Sequence, residues 1–169
     1  ASLKERMNLV LELARANVEN GTGGPFAAAV FTMSDATLVS IGLNLVVSSK
    51  CSVLHAETVA IMLAQKKAGH HDLGGKGIPA HELVSTTEPC AMCLGAISWS
   101  GIRRLACGAR EEDAKAIGFD EGPKPSAWPA ALAKRGITVV RDVLRPAAAK
   151  DLLRYQQRGG LIYNGRRGV

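Results

Sequence analysis

The first twenty residues carry apolar side chains at every third or fourth position: Leu3, Met7, Val10, Ala14 and Val18. This spacing places them on one face of an α-helix. Residues 2–5, Ser-Leu-Lys-Glu, form a capping box that starts such a helix, and Asn20-Gly21 provides a stop. The pattern therefore predicts an amphipathic first helix with one face against a core.

Later apolar runs alternate between strand-like and helix-like spacing. They predict strands at residues 27–32, 38–47, 83–86, 104–108 and 137–140. They predict further helices at residues 55–68, 90–100, 111–117, 128–134 and 147–157. Strands and helices alternate after an initial hairpin, which favours an α/β fold: a three-layer α/β/α sandwich around a mixed five-stranded sheet. No repeat or linker divides the chain, so residues 1–169 are predicted to form a single domain.

Composition restricts the class of protein. The 169 residues are 47% hydrophobic but only 4% aromatic, so the core must be mostly aliphatic. No apolar run approaches the ~20 residues that span a bilayer, and the N-terminus lacks the pattern of a secretory signal. Two of the four cysteines form a C-x-x-C, and Cys51 and Cys107 stand alone. This usage suits a reducing compartment, so we expect a cytoplasmic protein with no membrane association.

The net charge of +6 permits an anionic partner but does not identify one. The basic residues are scattered, and no basic stripe carries interleaved aromatic residues as in single-strand binding surfaces. Nucleic acid is therefore not the predicted partner.

The strongest chemical pattern joins His55-Ala56-Glu57 with Cys90 and Cys93. Residues three apart share a helix face, so both cysteines can reach one ion. Pro89 indicates that a helix begins there, and the free backbone N–H groups at its start would stabilise thiolates. Residues two apart point to nearly opposite sides of a helix, so His55 and Glu57 share a site only if His55 lies in an irregular first turn.

These residues suit a catalytic zinc better than a structural one. Structural zinc takes four protein ligands, whereas catalytic zinc keeps a position for water. We predict one zinc ion per subunit on His55, Cys90 and Cys93, with Glu57 as general base and then acid. The alternatives are a redox pair or a closed site, whose fourth ligand could be Cys51, Cys107, His70, His71 or His81. The combination of His-x-Glu with Pro-Cys-x-x-Cys is typical of zinc deaminases.

Several segments resemble the cytidine deaminase superfamily: Gly23-Gly24-Pro25-Phe26, Asn44, the stretch from Glu88 to Ile97, and Trp99. Within it, Gly118-Phe119-Asp120-Glu121 is similar to the bacterial guanine deaminase group. Members of that group carry an acid at the position of Glu121. An aspartate also occurs there, so the reach of Glu121 differs from that of such members.

The resemblance implies hydrolysis of guanine to xanthine and ammonia by zinc-activated hydroxide, with Glu57 and Glu121 as the catalytic acids. Asn44 would bind the purine edge at N7 or O6, and Phe26 and Trp99 would pack against the ring. Without the resemblance, Asn44 would be interpreted as an ordinary strand-end residue, and Phe26 and Trp99 as ordinary core residues. Glu121, taken alone, reads as a solvated loop acid.

The sequence also leaves other deaminase functions as alternatives. Gly108-Ala109-Arg110, with Ala114-Lys115 and Gly118, is similar to tRNA adenosine deaminases, whereas Phe119-Asp120-Glu121 and the longer C-terminus are not. A cytidine or deoxycytidylate deaminase and a non-enzymatic zinc scaffold are further alternatives. The resemblance to the guanine deaminase group implies that residues 159–169, including Leu161-Ile162-Tyr163, form a tail that closes the site around a free base, although this tail does not match the group residue by residue. The family resemblance also implies a homodimer, in which these tails could be exchanged between subunits.

Overall fold

The computed structural model describes residues 1–165, which contain six helices and five strands. The helices are α1 (Leu3–Glu19), α2 (Ala56–Ala68), α3 (Ala91–Ser100), α4 (Glu111–Ala116), α5 (Trp128–Lys134) and α6 (Arg145–Gln157). The strands are β1 (Ala27–Thr32), β2 (Leu38–Leu43), β3 (His81–Thr87), β4 (Arg104–Ala109) and β5 (Thr138–Val140). Every predicted element is confirmed. The largest boundary difference is in β2, which ends at Leu43 because residues 46–50 form turns instead of continuing to residue 47.

The strands form one mixed sheet in the order β2-β1-β3-β4-β5. The pairs β1–β2 and β1–β3 are antiparallel, and β3–β4 and β4–β5 are parallel. All seven residues of the central strand β3 are buried. Its carboxyl end leads directly into residues 88–90, so the sheet fixes the point at which α3 begins.

Alternating side chains of the sheet face two helical layers. On one face, Ala29 of β1 and Val84 of β3 pack with α1 and α6. On the other, Val30 and Leu83 pack with α2, α3 and α5. The predicted three-layer sandwich is therefore confirmed, and its two cores are mostly aliphatic, as the composition requires.

The first helix is fixed at both ends. The capping box is present: Ser2 Oγ accepts from Glu5 N at 3.3 Å, and Glu5 Oε2 accepts from Ser2 N at 2.6 Å. Arg6 pairs with the fully buried carboxylate of Glu82 on β3, which also accepts from Arg104. A buried charge is tolerated only when it is paired, so this contact fixes how α1 lies on the sheet.

Candidate active site

Two helix starts bring the three predicted metal ligands together. His55 is the N-cap residue of α2, Cys90 is the N-cap of α3, and Cys93 lies in the first turn of α3. The extended backbone of His55 removes the geometric conflict with Glu57, because an N-cap residue does not follow the helical wheel. All three ligand atoms lie within 4.8 Å of one another.

This donor set fits zinc. Tetrahedral ligands around zinc lie roughly 3.3–3.8 Å apart, as follows from the usual Zn–S and Zn–N distances. His55 Nδ1 and Cys90 Sγ are 3.4 Å apart. Within residues 1–165, no fourth His, Cys, Asp or Glu joins the group. The geometry therefore matches a site with one position open to water, not a closed structural site.

Of the three ligand groups, only the Cys90 thiol is shifted toward its metal-binding form. The hydrogen bond from Cys93 and then the contact with His55 lower the pKa of Cys90 to about 4. Sharing its proton with Cys90, together with burial, raises the pKa of Cys93. Burial lowers the pKa of His55, but its hydrogen bond to Cys90 and the charge of Glu57 raise that pKa overall. A divalent cation on these groups releases the protons that they share.

Glu57 lies buried beside the metal ligands in the first turn of α2. Ser85 Oγ donates to its Oε1 at 3.3 Å, and Cys93 Sγ donates to its Oε2 at 3.4 Å. Burial, followed by the negative charge of Cys90, raises the pKa of Glu57, which suits a group that both accepts and returns a proton. The sequence analysis missed Ser85, although the alternation along β3 places it on the same sheet face as Leu83, toward α2.

Glu121 reaches the same site from the segment between α4 and α5. Its main-chain oxygen accepts from Ala91 N at 2.9 Å, which docks the segment on the first turn of α3. The side chain is buried. Burial, followed by the charges of Cys90 and Glu57, raises the pKa of Glu121 to about 8. Burial, the largest cause, favours the protonated form of this carboxyl near neutral pH.

A buried lysine that the sequence analysis missed anchors the Glu121 segment. Lys124 Nζ donates to Pro89 O at 2.9 Å and forms an ion pair with Glu111 at 2.9 Å. It also lies over the ring of Trp128, with its nitrogen 5.2 Å from the ring centre. The sequence shows only a lysine in a proline-rich loop, so no local signal marks it.

Asn44 follows β2 and is buried at the edge of the site. Its backbone N–H donates to Phe26 O at 3.0 Å. Its side-chain oxygen accepts from Val46 N at 3.3 Å. The oxygen of the amide is therefore used within the chain, which leaves the NH2 group as the donor available to a ligand.

The remaining wall is aromatic. Phe26 and Phe119 meet edge to face with ring centres 4.9 Å apart, and Tyr163 contacts Phe119 at 5.1 Å. Trp99 is not part of this wall: it is 84% exposed, on the face of α3 opposite to Cys93 and Ile97. Trp99 does not line the cleft of its own chain, so its packing against a substrate ring stays a prediction, whereas the alternative that it is a core residue is wrong.

These groups surround a single cleft of about 650 Å³. Its lining includes six of the eight predicted site residues: Phe26, Asn44, His55, Glu57, Cys90 and Glu121. Cys93 lies behind them in the ligand group. Tyr163 of the predicted tail also lines the cleft, and so do Thr87 and Phe119, to which the sequence analysis assigned no contact.

The chain's own C-terminal segment lies against the cleft. Asn164 Nδ2 donates to Gly118 O at 2.9 Å, and Asp120 N donates to Asn164 Oδ1 at 2.8 Å. Tyr155 Oη donates to Leu161 O at 2.7 Å. Residues 160–165 are thus joined to the segment that carries Glu121. The rest of the predicted tail, residues 166–169, lies outside the described residues.

The fold and the ligand group together define a zinc deaminase domain. Residues 1–109 match the family described as cytidine and deoxycytidylate deaminase zinc-binding region, and the chain belongs to this family. No helix within the described residues combines the length and apolar character needed to cross a membrane.

Comparisons with individual proteins show which members of the family this chain is similar to. Guanine deaminase from Bacillus subtilis is 37% identical over 109 residues, which cover 64% of this chain and 65% of that protein. A tRNA-specific adenosine deaminase from Buchnera aphidicola is 35% identical over 114 residues, covering 64% of this chain and 67% of that protein. The solved structure of guanine deaminase from Nitrosomonas europaea is 51% identical, with a TM-score of 0.91, and covers 93% of this chain and 86% of that one. Similarity to a guanine deaminase therefore extends over nearly the whole chain.

Proposed function

We propose that this protein hydrolyses guanine to xanthine and ammonia. The observation that carries the proposal is that two buried carboxyls, Glu57 and Glu121, meet in one cleft beside a three-ligand zinc site. Only the first belongs to the metal motif shared by the family. The similarity to the Nitrosomonas enzyme supports the same substrate.

Glu57 is the proton carrier for the attacking water. When bound by His55, Cys90 and Cys93, zinc lowers the pKa of a water molecule and makes it nucleophilic at neutral pH. Glu57 takes the proton of this water and delivers it to the ring nitrogen beside the reacting carbon, C2 of guanine. Its contact with Ser85 holds one carboxyl oxygen in place for this transfer.

Glu121 serves the leaving group. An amino group departs poorly unless it is protonated, and Glu121, with its pKa at about 8, holds a proton at neutral pH. It donates this proton to the amino nitrogen as the bond to C2 breaks, and ammonia leaves, while the hydroxyl on C2 gives its proton to Glu57 as the carbonyl of xanthine forms. Proton exchange with solvent then returns Glu57 to the carboxylate and Glu121 to the acid. Two acids divide the proton transfers that a single glutamate would otherwise make in turn.

Asn44 selects the base. Guanine presents two acceptors, N7 and O6, on the edge where adenine presents one acceptor and one donor. The free NH2 group of Asn44 matches the acceptors of guanine and faces a like donor on adenine. This supports guanine over an adenine-type substrate.

The tail supports a free base over a nucleotide within RNA. An enzyme acting on an extruded base needs a groove for the adjoining backbone. Here residues 160–165 lie across the segment that carries Glu121. We propose that residues 1–169 act as one domain whose tail, residues 159–169, closes the site. The hydrogen bonds of Asn164 with residues 118 and 120 support this proposal.

A substrate comparison tests the proposal. The purified zinc-loaded protein is incubated separately with guanine, cytidine, dCMP and an anticodon-arm RNA, and ammonia release is measured. We expect release from guanine. Release from the RNA alone would make the protein a tRNA deaminase, and release from the cytosine compounds alone would make it a pyrimidine deaminase. Retained zinc with no release from any compound would indicate a non-enzymatic scaffold.

We further propose that the protein is a homodimer. Met62 and Leu63 of α2 and Met92 and Trp99 of α3 are exposed apolar side chains on two helices that contact each other. Positions 92 and 99 lie two turns apart on one side of α3. An exposed tryptophan on such helices is typical of an interface. We expect Trp99→Glu to yield a monomer in sedimentation velocity, whereas Leu153→Glu, an exposed apolar residue on α6, should leave the dimer intact. A monomeric unaltered protein would contradict this.

The four cysteines are free thiols, which supports our proposal of a cytoplasmic location.

A further inference from the structure

We propose that Asn17, in the last turn of α1, is a positioning residue for substrate recognition: it holds Asn44 where the Asn44 amide meets the purine edge. This inference rests on the proposed function of the cleft. Asn17 does not line the cleft and acts only through the residues that do. It is 1% exposed, and its position on a helix far from the metal motif gave no signal of a role.

The Asn17 amide joins three chain segments. Its Nδ2 donates to Gly24 O at 2.9 Å and to Asn44 O at 3.0 Å. Its Oδ1 accepts from Thr22 Oγ1 at 2.7 Å. One buried side chain therefore links the end of α1 to the glycine turn before β1 and to the residue that follows β2.

The glycine turn, Gly23-Gly24, is packed so tightly that neither position has room for a side chain. A Cβ at position 23 would lie 1.9 Å from Asn44 O, and one at position 24 would lie 2.1 Å from Tyr163 Oη. Main chain therefore lies directly against main chain, and Gly24 N also donates to Asn44 O at 3.3 Å. The Asn44 carbonyl is held by two donors, from Gly24 and Asn17, while its side-chain oxygen is held by Val46.

Only an amide of this length satisfies the site. It must supply two N–H bonds to buried carbonyls and one acceptor to a hydroxyl. An aspartate has the same shape but no donor, so it places an oxygen against two carbonyl oxygens. A leucine leaves the same groups unpaired, at a cost of about 1–3 kcal/mol for each buried polar group.

The consequence for catalysis is specific. Displacing Asn44 weakens the grip on the purine edge but leaves the zinc ligands, Glu57 and Glu121 in place. Because misplacing a binding group by about 1 Å can cost up to ~100-fold, we expect Asn17→Asp to raise KM for guanine by about 10–100-fold. kcat should change much less. Leu11→Ala is the matched control: Leu11 lies on the same helix and is buried in the core, so its truncation should lower Tm while KM stays unchanged.

A double-variant comparison separates positioning from general stability. If Asn17 acts through Asn44, then Asn17→Asp should add almost nothing to the KM of Asn44→Ala. Fully additive effects would overturn the inference, as would an Asn17→Asp variant with lowered Tm and normal KM.

A readout without substrate keeps this test separate from the proposed function. In hydrogen–deuterium exchange of the zinc-loaded protein, Asn17→Asp should speed exchange in residues 22–26 and 43–46, and Leu11→Ala should not. Faster exchange there, with no turnover of guanine by the unaltered protein, would remove the proposed function but retain the anchoring of Asn44. Guanine turnover with unchanged exchange and KM in Asn17→Asp would remove the inference alone.

Discussion

The two walls of the cleft are built by different means. One, the metal wall, consists of His55, Glu57, Cys90 and Cys93, which lie in or just before the first turns of two helices. The other, the closing wall, consists of the segment 118–122 and the tail 160–165. The metal wall is positioned by helix starts that the sheet fixes, whereas the closing wall is held by hydrogen bonds between residues far apart in sequence, such as Asp120 and Asn164.

This difference suggests a division of roles, in which one wall carries out the reaction and the other controls how substrate and solvent enter the cleft. In the proposed reaction the metal wall supplies the groups that bind the ion and move the first proton, and its backbone is part of regular structure. In the proposed reaction the closing wall supplies the acid for the leaving group and covers the cleft, and few regular hydrogen bonds support it. Segments of this kind open at lower free energy than the core. Changes in the metal wall should therefore abolish the reaction step, and changes in the closing wall should weaken binding and proton delivery.

The largest expected effect is on the metal wall. Glu57→Gln retains the shape of the side chain and its contact with Ser85 but cannot accept a proton. We expect turnover of guanine to fall by about 10²–10⁴-fold, the usual contribution of a general base. Zinc content, measured by mass spectrometry, should stay at one ion per chain. Loss of zinc together with turnover would show instead that Glu57 is a ligand.

Removing the acid of Glu121, in the closing wall, should lower the rate less than the change at Glu57 does, and it should also change how the rate depends on pH. Glu121→Gln cannot deliver a proton to the amino group, and we expect kcat to fall by about 100-fold. In the unaltered protein the raised pKa of Glu121 means that its proton is present at neutral pH and is lost as pH rises through about 8. The rate should therefore decline on the alkaline side, and Glu121→Gln should lack this decline.

Two outcomes would remove Glu121 from the reaction. One is near-normal turnover by Glu121→Gln, and the other is an alkaline decline that persists unchanged in that variant. Glu121→Asp provides the matched comparison, because it keeps the acid but shortens its reach by one methylene. Partial activity in Glu121→Asp with a retained alkaline decline is the expected result.

The same contrast explains what the sequence could predict. His55, Cys90 and Cys93 follow from helix-start signals and ligand spacing, both of which are local in the chain. Trp99 shows the limit of residue-by-residue likeness: its helix was predicted correctly, but the face on which it lies depends on how α3 packs against the sheet. Ser85, Lys124 and Asn17 depend on contacts between distant segments. A buried lysine in a loop and a buried asparagine on a helix look like ordinary surface residues until the partners are known.

The smallest of these effects is expected at the contact between tail and segment. Asn164→Ala removes both hydrogen bonds to residues 118 and 120. At about 1 kcal/mol for each hydrogen bond, the equilibrium constant for closure falls by about 30-fold, so KM should rise by at most about that factor. Zinc content should not change, and kcat should fall less than KM rises. Arg158→Ala, an exposed change just beyond α6, is the matched control and should leave both constants unaltered. Because the two bonds hold the segment of Glu121 as well as the tail, an unchanged KM with a large loss of kcat would mean that the tail aligns the acid instead of closing the cleft.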